Sequence, residues 1–476
     1  MKYKYLLLHL CFLCAPEVSL SEGFFSRISK LATGGKKERA SITNDESVPM
    51  ATLSNGQKIP LVGVGVGNMV PDVIPAIISH GLRSDKNIRL VDTSNISSNE
   101  ALVAQGIAEG VEHLVQKAET TGQQQGGATT TKKVEVHVVT KVWYTHLGYN
   151  RTLFAAKSSL ESLKDAIDHP NVDLKVHMML HWPRCYDNIP WMNCEEEEEN
   201  LPDAVKEAGP PPHRDPNNAW KESWKALEAL LDDTSNPISS IGVSNFHLSE
   251  LQELESLSKT RPHIVETNAW SLLYDPLLVD YCHKAGIHLI AYHLMDAIIH
   301  KSEEAPFAYH HLLVIANDLS KTMKSRGALS DHEEITAPQV VLAWLVQHSI
   351  SVIPRTTDLY HLKENSAAAI AQIPAMNDQQ VQTVAHSVEA LISGEDVTED
   401  AFVKLTFHAK SKDVFLYWHD PEYGGEIQVA RIEKGNTFEE SSHPGHIFRA
   451  YESEEKANME VLTVDGKYGE HKHIEL

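Results

Sequence analysis

Basic residues are scarce in this 476-residue chain: 42 Lys and Arg stand against 65 Asp and Glu, a formal charge of −23. Such a balance repels phosphate backbones and anionic lipid, so nucleic acid and acidic membrane surfaces are excluded as partners, and solubility is its simplest consequence. Long apolar runs are missing as well. The run Leu6-Leu-Leu-His-Leu-Cys-Phe-Leu-Cys14 is too short to cross a bilayer and no later stretch is long enough, so no membrane span is expected. Cysteine is limited to five. Cys11 and Cys14 lie in that first run, and Cys282, in a helical apolar stretch, reads as a buried thiol. Cys185 and Cys194 share one loop and are able to close a small ring in an oxidising compartment. Among 27 histidines no spacing matches a closed metal site, and no metal is assigned.

The two ends carry address-like text. A basic start at Met1-Lys-Tyr-Lys, the short apolar run and small residues at Ser19 and Ser21 fit a secretory signal peptide over 1–21. Residues 22–47, rich in Lys, Ser and Gly, read as a linker. The tetrapeptide His473-Ile-Glu-Leu476 resembles luminal retention signals, and the two features together predict the lumen of the endoplasmic reticulum.

Between the ends one unit recurs. Arg89-Leu-Val-Asp92 is a short apolar run that ends on a carboxylate, passes through a polar turn and enters a helical pattern with Leu102, Ile107 and Val111. Val134–Lys141 and Lys175–Trp182 also end on polar residues, Lys141 and His181. Further runs at Val62–Val66, Ile238–Ser244, Ile264–Thr267, His288–Tyr292 and Ser351–Pro354 bring the number to eight, with helix-like text after them such as Trp220–Leu231 and Pro338–Gln347. Eight alternations predict an α/β fold, a (β/α)8 TIM barrel over 48–394, with a hairpin at Thr52–Pro60 around Asn55-Gly56. The text then changes to short strands, Ala401–Phe407, Val414–Trp418, Glu426–Ile432 and His446–Tyr451, which predict a small all-β sandwich domain over 395–476.

Asp92-Thr93-Ser94 with Asn99-Glu100, Thr140-Lys141-Val142, Leu180-His181-Trp182-Pro183 and Ile241-Gly242-Val243-Ser244-Asn245-Phe246 resemble, in order and interval, the motifs of the aldo-keto reductase family. The resemblance implies an oxidoreductase that reduces a small carbonyl substrate with NADP(H), and a barrel closed at its bottom by the hairpin. It puts Asp92, Lys141 and His181 on three of the family's four catalytic positions. The fourth, a tyrosine that serves as the acid, is Ser97 here. A serine hydroxyl is a far weaker and shorter acid, and loss of a general acid lowers rates by about two to four decades. Impaired reduction is therefore expected, and the competing class is a pseudoenzyme scaffold or cofactor sensor. The same resemblance assigns cofactor binding to Ser244, Asn245, Glu266, Tyr292, Arg355, Thr356, Glu364 and Asn365, with Glu266 at the family's glutamine and His361 at its adenosine-side arginine. Arg355 favours a 2′-phosphate. Ser97 also completes the sequon Asn95-Ile-Ser97, and Asn150-Arg-Thr152 is a second one.

In the terminal module, Val414–Trp418, Ile432–Gly435 and Ser442–Phe448 resemble the β domain of the von Hippel–Lindau tumour suppressor. That resemblance places Ser442, His446 and Phe448 in a hydroxyproline pocket, with Val429 at its tyrosine, and makes a luminal protein the candidate ligand. Three insertions break the barrel pattern: a Gln/Gly/Thr-rich stretch at 120–131, residues 194–218 with five consecutive glutamates, and 300–332. The glutamates read as a solvated run overhanging the barrel mouth.

Overall fold

The computed structural model describes residues 48–120, 133–186, 189–268, 275–394, 396–397, 403–419, 426–442, 447–453, 456–464 and 470–476. The segments expected as signal peptide and linker, 1–21 and 22–47, residues 121–131 of the Gln/Gly/Thr-rich insertion, and His446 lie outside the described residues.

Strands β1 (Met50–Thr52) and β2 (Lys58–Pro60) pair as the expected hairpin. Its turn contains Gly56 at φ 83°, a left-handed conformation that glycine adopts without a Cβ clash. Eight parallel strands follow: β3 (Gly63–Gly65), β4 (Leu90–Asp92), β5 (Val134–Val142), β6 (Val172–Leu180), β7 (Ile238–Ser244), β8 (Ile264–Asn268), β9 (His288–Tyr292) and β10 (Ser351–Val352). They pair in chain order, and a bridge from Val62 to Val352 closes the sheet into a barrel. Helices lie between the strands and turn apolar stripes inward. Ala219–Asp232, for example, buries Trp220, Ser223, Trp224 and Leu227 at helical spacing.

Alternation of side chains along each strand sorts the barrel interior into layers. The middle layer is apolar: Leu90, Val139, Met179, Ile264, Ile290 and Ile353 pack together, joined from the hairpin by Leu53 and Ile59. Two residues earlier, the same strand faces carry His137, His177, Ser240, His288 and Ser351, a buried polar layer linked by His137–His177 at 3.0 Å, His177–Ser240 at 2.7 Å and His288–Ser351 at 2.7 Å. Two residues later come Asp92, Lys141, His181 and Glu266. Gly242 lets β7 and β8 approach, because a Cβ there would sit 2.5 Å from the Ile264 carbonyl oxygen.

A second compact unit comprises Glu303–Ala308 and Ser393–Leu476. It contains two sheets. One has β14 (Thr437–Ser442), β11 (Val403–His408) and β17 (His471–Glu475); the other has β13 (Glu426–Ile432), β12 (Val414–His419), β15 (Ile447–Tyr451) and β16 (Glu460–Thr463). Val403, Leu405 and Phe407 from one sheet meet Val414, Leu416, Phe448 and Ala450 from the other in a single core. Phe448 is 2% exposed and packs on Phe407 at 5.3 Å between ring centres, so it is a core residue rather than the wall of an open pocket. Ser442 is buried and Val429 packs against the same core. Strands β14, β16 and β17 were not anticipated from the sequence. In β17, His473, Ile474 and Glu475 pair in parallel with β11, and the Leu476 N–H donates to the His408 carbonyl at 2.8 Å, so the tetrapeptide backbone is hydrogen-bonded within a sheet.

Candidate active site

Strands β4, β5 and β6 deliver the three residues first singled out. Asp92 ends β4, Lys141 is the penultimate residue of β5 and His181 follows β6. Each lies two residues beyond a member of the apolar middle layer, and each is turned inward. The Lys141 side chain is 3% exposed. Its ammonium donates to the Asp92 carboxylate, to the Thr93 carbonyl at 3.0 Å and to Glu266 Oε1 at 3.1 Å. An ammonium has three donors, and all three are taken.

Glu266 reaches this point from β8, two residues beyond Ile264. Burial pushes its carboxyl up to about 8, helped by the charge of Asp92 and opposed by Lys141. Burial also raises Asp92, a shift that Lys141 opposes without reversing. For Lys141 burial works against the charge, but the Asp92 and Glu266 carboxylates outweigh it and hold the amine protonated. One ammonium cannot neutralise two buried carboxylates. The favoured state is therefore an ammonium–carboxylate pair at Lys141 and Asp92, with the extra proton on Glu266. His181 is held neutral, well below the usual imidazole range, by burial and by Lys141. Two buried polar atoms of the site, His181 Nδ1 and Glu266 Oε2, have no hydrogen-bond partner among the described residues.

Ser97 lies apart from Lys141's donors. It ends the short turn Asn95–Ser97, and its hydroxyl is 2.8 Å from that of Ser94. The loop around it is pinned by Thr93 to Asn99, by Asn99 Nδ2 to the Val66 carbonyl at 3.0 Å, and by Thr140 to Glu100. Those bonds explain why polar residues at 93, 99, 100 and 140 recur with the carboxylate and the lysine.

The expected cofactor residues fall into two groups. Ser244, Asn245, Glu266 and Tyr292 meet at the barrel mouth. Asn245, at φ 60°, donates from Nδ2 to the His181 carbonyl at 3.0 Å and accepts from the Tyr292 hydroxyl at 2.6 Å. Arg355 is exposed, with Nη1 donating to the Gly67 carbonyl at 3.0 Å, and Thr356 accepts from the Asp358 N–H at 3.1 Å. Glu364 pairs with His361 at 2.9 Å, and Asn365 caps the helix Leu359–Glu364.

The glutamate run corrects the expectation of a wholly solvated charge stretch. It forms the helix Cys194–Glu199, and two of its members face inward. Glu197 accepts from Trp143 Nε1 at 2.8 Å and from the Tyr144 hydroxyl. Glu198 makes a two-pronged pair with Arg151 at 2.8 Å for each bond, and Arg151 is 1% exposed. Cys185 and Cys194 are joined in a disulfide, with 5.9 Å between their Cα atoms. The ring it closes carries Trp191, stacked on Trp143 at 6.2 Å and edge-on to Trp182 at 5.7 Å. Trp143 in turn stands edge-on to His181 at 4.9 Å. Sequence reasoning missed this aromatic wall, because five identical glutamates give no sign of which ones turn inward.

The profile of the Aldo/keto reductase family matches residues 77–388. The "Uncharacterized oxidoreductase YtbE" of Bacillus subtilis is 28% identical over 67% of this chain and 86% of its own length. Glyoxal reductase of the same organism is 27% identical over 64% of this chain and 81% of its own. Among solved structures, a Bombyx mori aldo-keto reductase in complex with NADP shares 20% identity, covering 71% of this chain and 92% of that one, with a TM-score of 0.49.

Proposed function

Because the chain belongs to the aldo/keto reductase family, we propose that it is an oxidoreductase that reduces a small carbonyl compound with NADP(H), with proton transfer altered at Ser97. The observation that carries this reading is the convergence of Asp92, Lys141 and His181 at one end of the barrel. The names of two relatives, glyoxal reductase and the NAD(P)H-dependent D-xylose reductase of Kluyveromyces lactis, point to the same substrate class.

The residues present fit a nicotinamide cofactor. Ser244, Asn245 and Tyr292 line the mouth, the unpartnered Glu266 Oε2 is ready for a hydrogen bond, and exposed Arg355 suits a phosphate. When bound, the reduced nicotinamide supplies a hydride. The chain's own residues do the rest: Lys141 and Asp92 set the local charge, and neutral His181 has a ring nitrogen free to meet a carbonyl oxygen. Trp143, Trp182 and Trp191 give that side of the site an aromatic lining.

The direct test is NADPH binding, followed as quenching of tryptophan fluorescence in the purified chain. Binding with slow reduction of test aldehydes is expected, and Arg355→Ala should weaken NADPH by roughly tenfold or more. Absence of any NADPH binding would remove the oxidoreductase reading. A second reading is a scaffold or cofactor sensor whose β sandwich binds a luminal protein, and the saturated Lys141 favours it. NADPH binding with no carbonyl reduced would select it.

The compartment we propose is the lumen of the secretory pathway, supported by the signal-like start and the Cys185–Cys194 pair. In protein recovered from cells both cysteines should resist alkylation until reductant is added. Free alkylation of both would sink the luminal assignment.

A further inference from the structure

A carboxyl from β8, that of Glu266, packs directly against the ammonium of Lys141 in this site. Three ionisable side chains, Asp92, Lys141 and Glu266, are packed at the barrel mouth with side-chain exposures of 12%, 3% and 4%. Lys141 Nζ binds Glu266 Oε1 at 3.1 Å, which uses its last donor. Glu266 Oε2 is buried with no protein partner among the described residues, in the same site as the unpartnered His181 Nδ1. A proton on Glu266 brings the neighbouring Asp92 carboxylate into hydrogen bonding with it, and a carbonyl oxygen entering the mouth is a second acceptor for that proton.

We infer that Glu266 is the proton donor of this enzyme, replacing from β8 the acid that is absent at Ser97. The inference rests on the carbonyl-reductase reading above. The groups facing Glu266 are Asp92 from β4, Lys141 from β5 and Tyr292 from β9. Asp92 and burial favour its protonated form, Lys141 opposes it, and Tyr292 stays a neutral phenol, its pKa raised by burial and by Glu266 itself. A carboxyl near 8 is protonated at neutral pH, as a general acid must be.

The step balances. With a reduced nicotinamide bound, its C–H hydride would bring two electrons to the carbonyl carbon and leave the ring oxidised, the C=O π pair would move to oxygen, and that oxygen would take the proton as the Glu266 O–H bond breaks. The product is an alcohol. The Glu266 carboxylate that remains is disfavoured by burial and by the Asp92 charge, so it takes a proton back from water and the acid is restored.

Two measurements on the full chain test this. The first needs no cofactor: infrared difference spectra against pH should show the carbonyl stretch of a protonated carboxyl that titrates near pH 8 and is absent in Glu266→Gln. The second is turnover with saturating NADPH. Glu266→Gln should lower kcat by about two decades and abolish the fall in kcat above pH 8. Glu266→Asp should restore part of the rate. The inference is overturned by the absence of the protonated-carboxyl band at pH 7, whatever the activity. It is equally overturned if Glu266→Gln reduces aldehydes as well as or better than wild type, which would make residue 266 a cofactor ligand only. Retained band and NADPH binding with no wild-type turnover would overturn it too, while a loss of NADPH binding would identify failure of the reductase reading itself.

Discussion

Ser97→Tyr alone is expected to leave carbonyl reduction close to the wild-type rate, whereas in the Glu266→Gln background Ser97→Tyr should raise kcat/KM by about two decades or more. Sequence alone suggests that a tyrosine at 97 would suffice, because Asp92, Lys141 and His181 are all in place. The structure adds an obstacle. Lys141 has no donor left for a phenol, since Asp92, Thr93 and Glu266 hold all three. A neutral amide at 266 binds the ammonium less strongly than a carboxylate and frees one donor to activate the tyrosine. Ser97→Tyr also removes the Asn95 sequon, so Ser97→Ala serves as the control for that change. Steady-state kinetics on a panel of aldehydes decides the matter. If Ser97→Tyr gained as much in the wild type as in the Glu266→Gln background, the lysine would not be saturated and the argument would fall. If Ser97→Ala raised the rate above wild type, a glycan rather than an acid would have been the block.

Acid should destabilise the barrel through its buried histidine layer. His288 is held at about 4 by burial, and His177 well below the ordinary value by burial and by the charges of His137, His288 and His263. A histidine whose folded pKa lies below its unfolded value of 6.5 binds a proton less readily when folded. Its contribution is complete above pH 6.5 and is lost as the pH falls toward 4. For His288 alone the loss amounts to about 2–3 kcal/mol by pH 4.5. Glu266 acts in the opposite direction. Its folded pKa lies above its unfolded value of 4.5, so folding loses stability as pH rises from there through 8. Comparison with His288→Gln isolates the histidine, since a glutamine amide can still bond Ser351 and carries no charge. The stability gap between the two proteins, from denaturant titrations at pH 7.5 and pH 4.5, should shift by that amount in favour of the glutamine variant. A gap independent of pH would exclude the histidine as the cause.

Much of the site is legible in the order of residues along the chain. Leu90–Asp92, Ile238–Ser244 and His288–Tyr292 read as strands and fold as strands, because a short apolar run ended by a polar residue is a local signal that a buried parallel strand cannot hide. Asp92, Lys141 and His181 are identifiable because each ends such a run, and in a barrel those ends share one mouth. Alternation from Ile264 is enough to turn Glu266 inward as well. That it meets Lys141 is not legible, since the contact depends on how the two intervening strands, β6 and β7, stagger around the closed sheet.

The terminal sandwich divides in the same way. Strands β12 and β13 announce themselves through Phe415, Leu416, Tyr417 and Ile432, whereas the His-Lys-His start of β17 gives no alternating apolar signal. Its pairing is supplied by the open edge of β11, a partner about 65 residues earlier in the chain. Among the glutamates of 195–199 the residue type is constant, so composition carries no information about orientation. Trp143, Tyr144 and Arg151 decide it, because a buried guanidinium and two buried aromatic donors need acceptors and the folded chain brings Glu197 and Glu198 within reach. The sequence by itself determined the barrel, its polar mouth and the missing phenol at 97. The tertiary structure decided which side chains share a proton, because burial and distance, not residue type, set where a charge is tolerated.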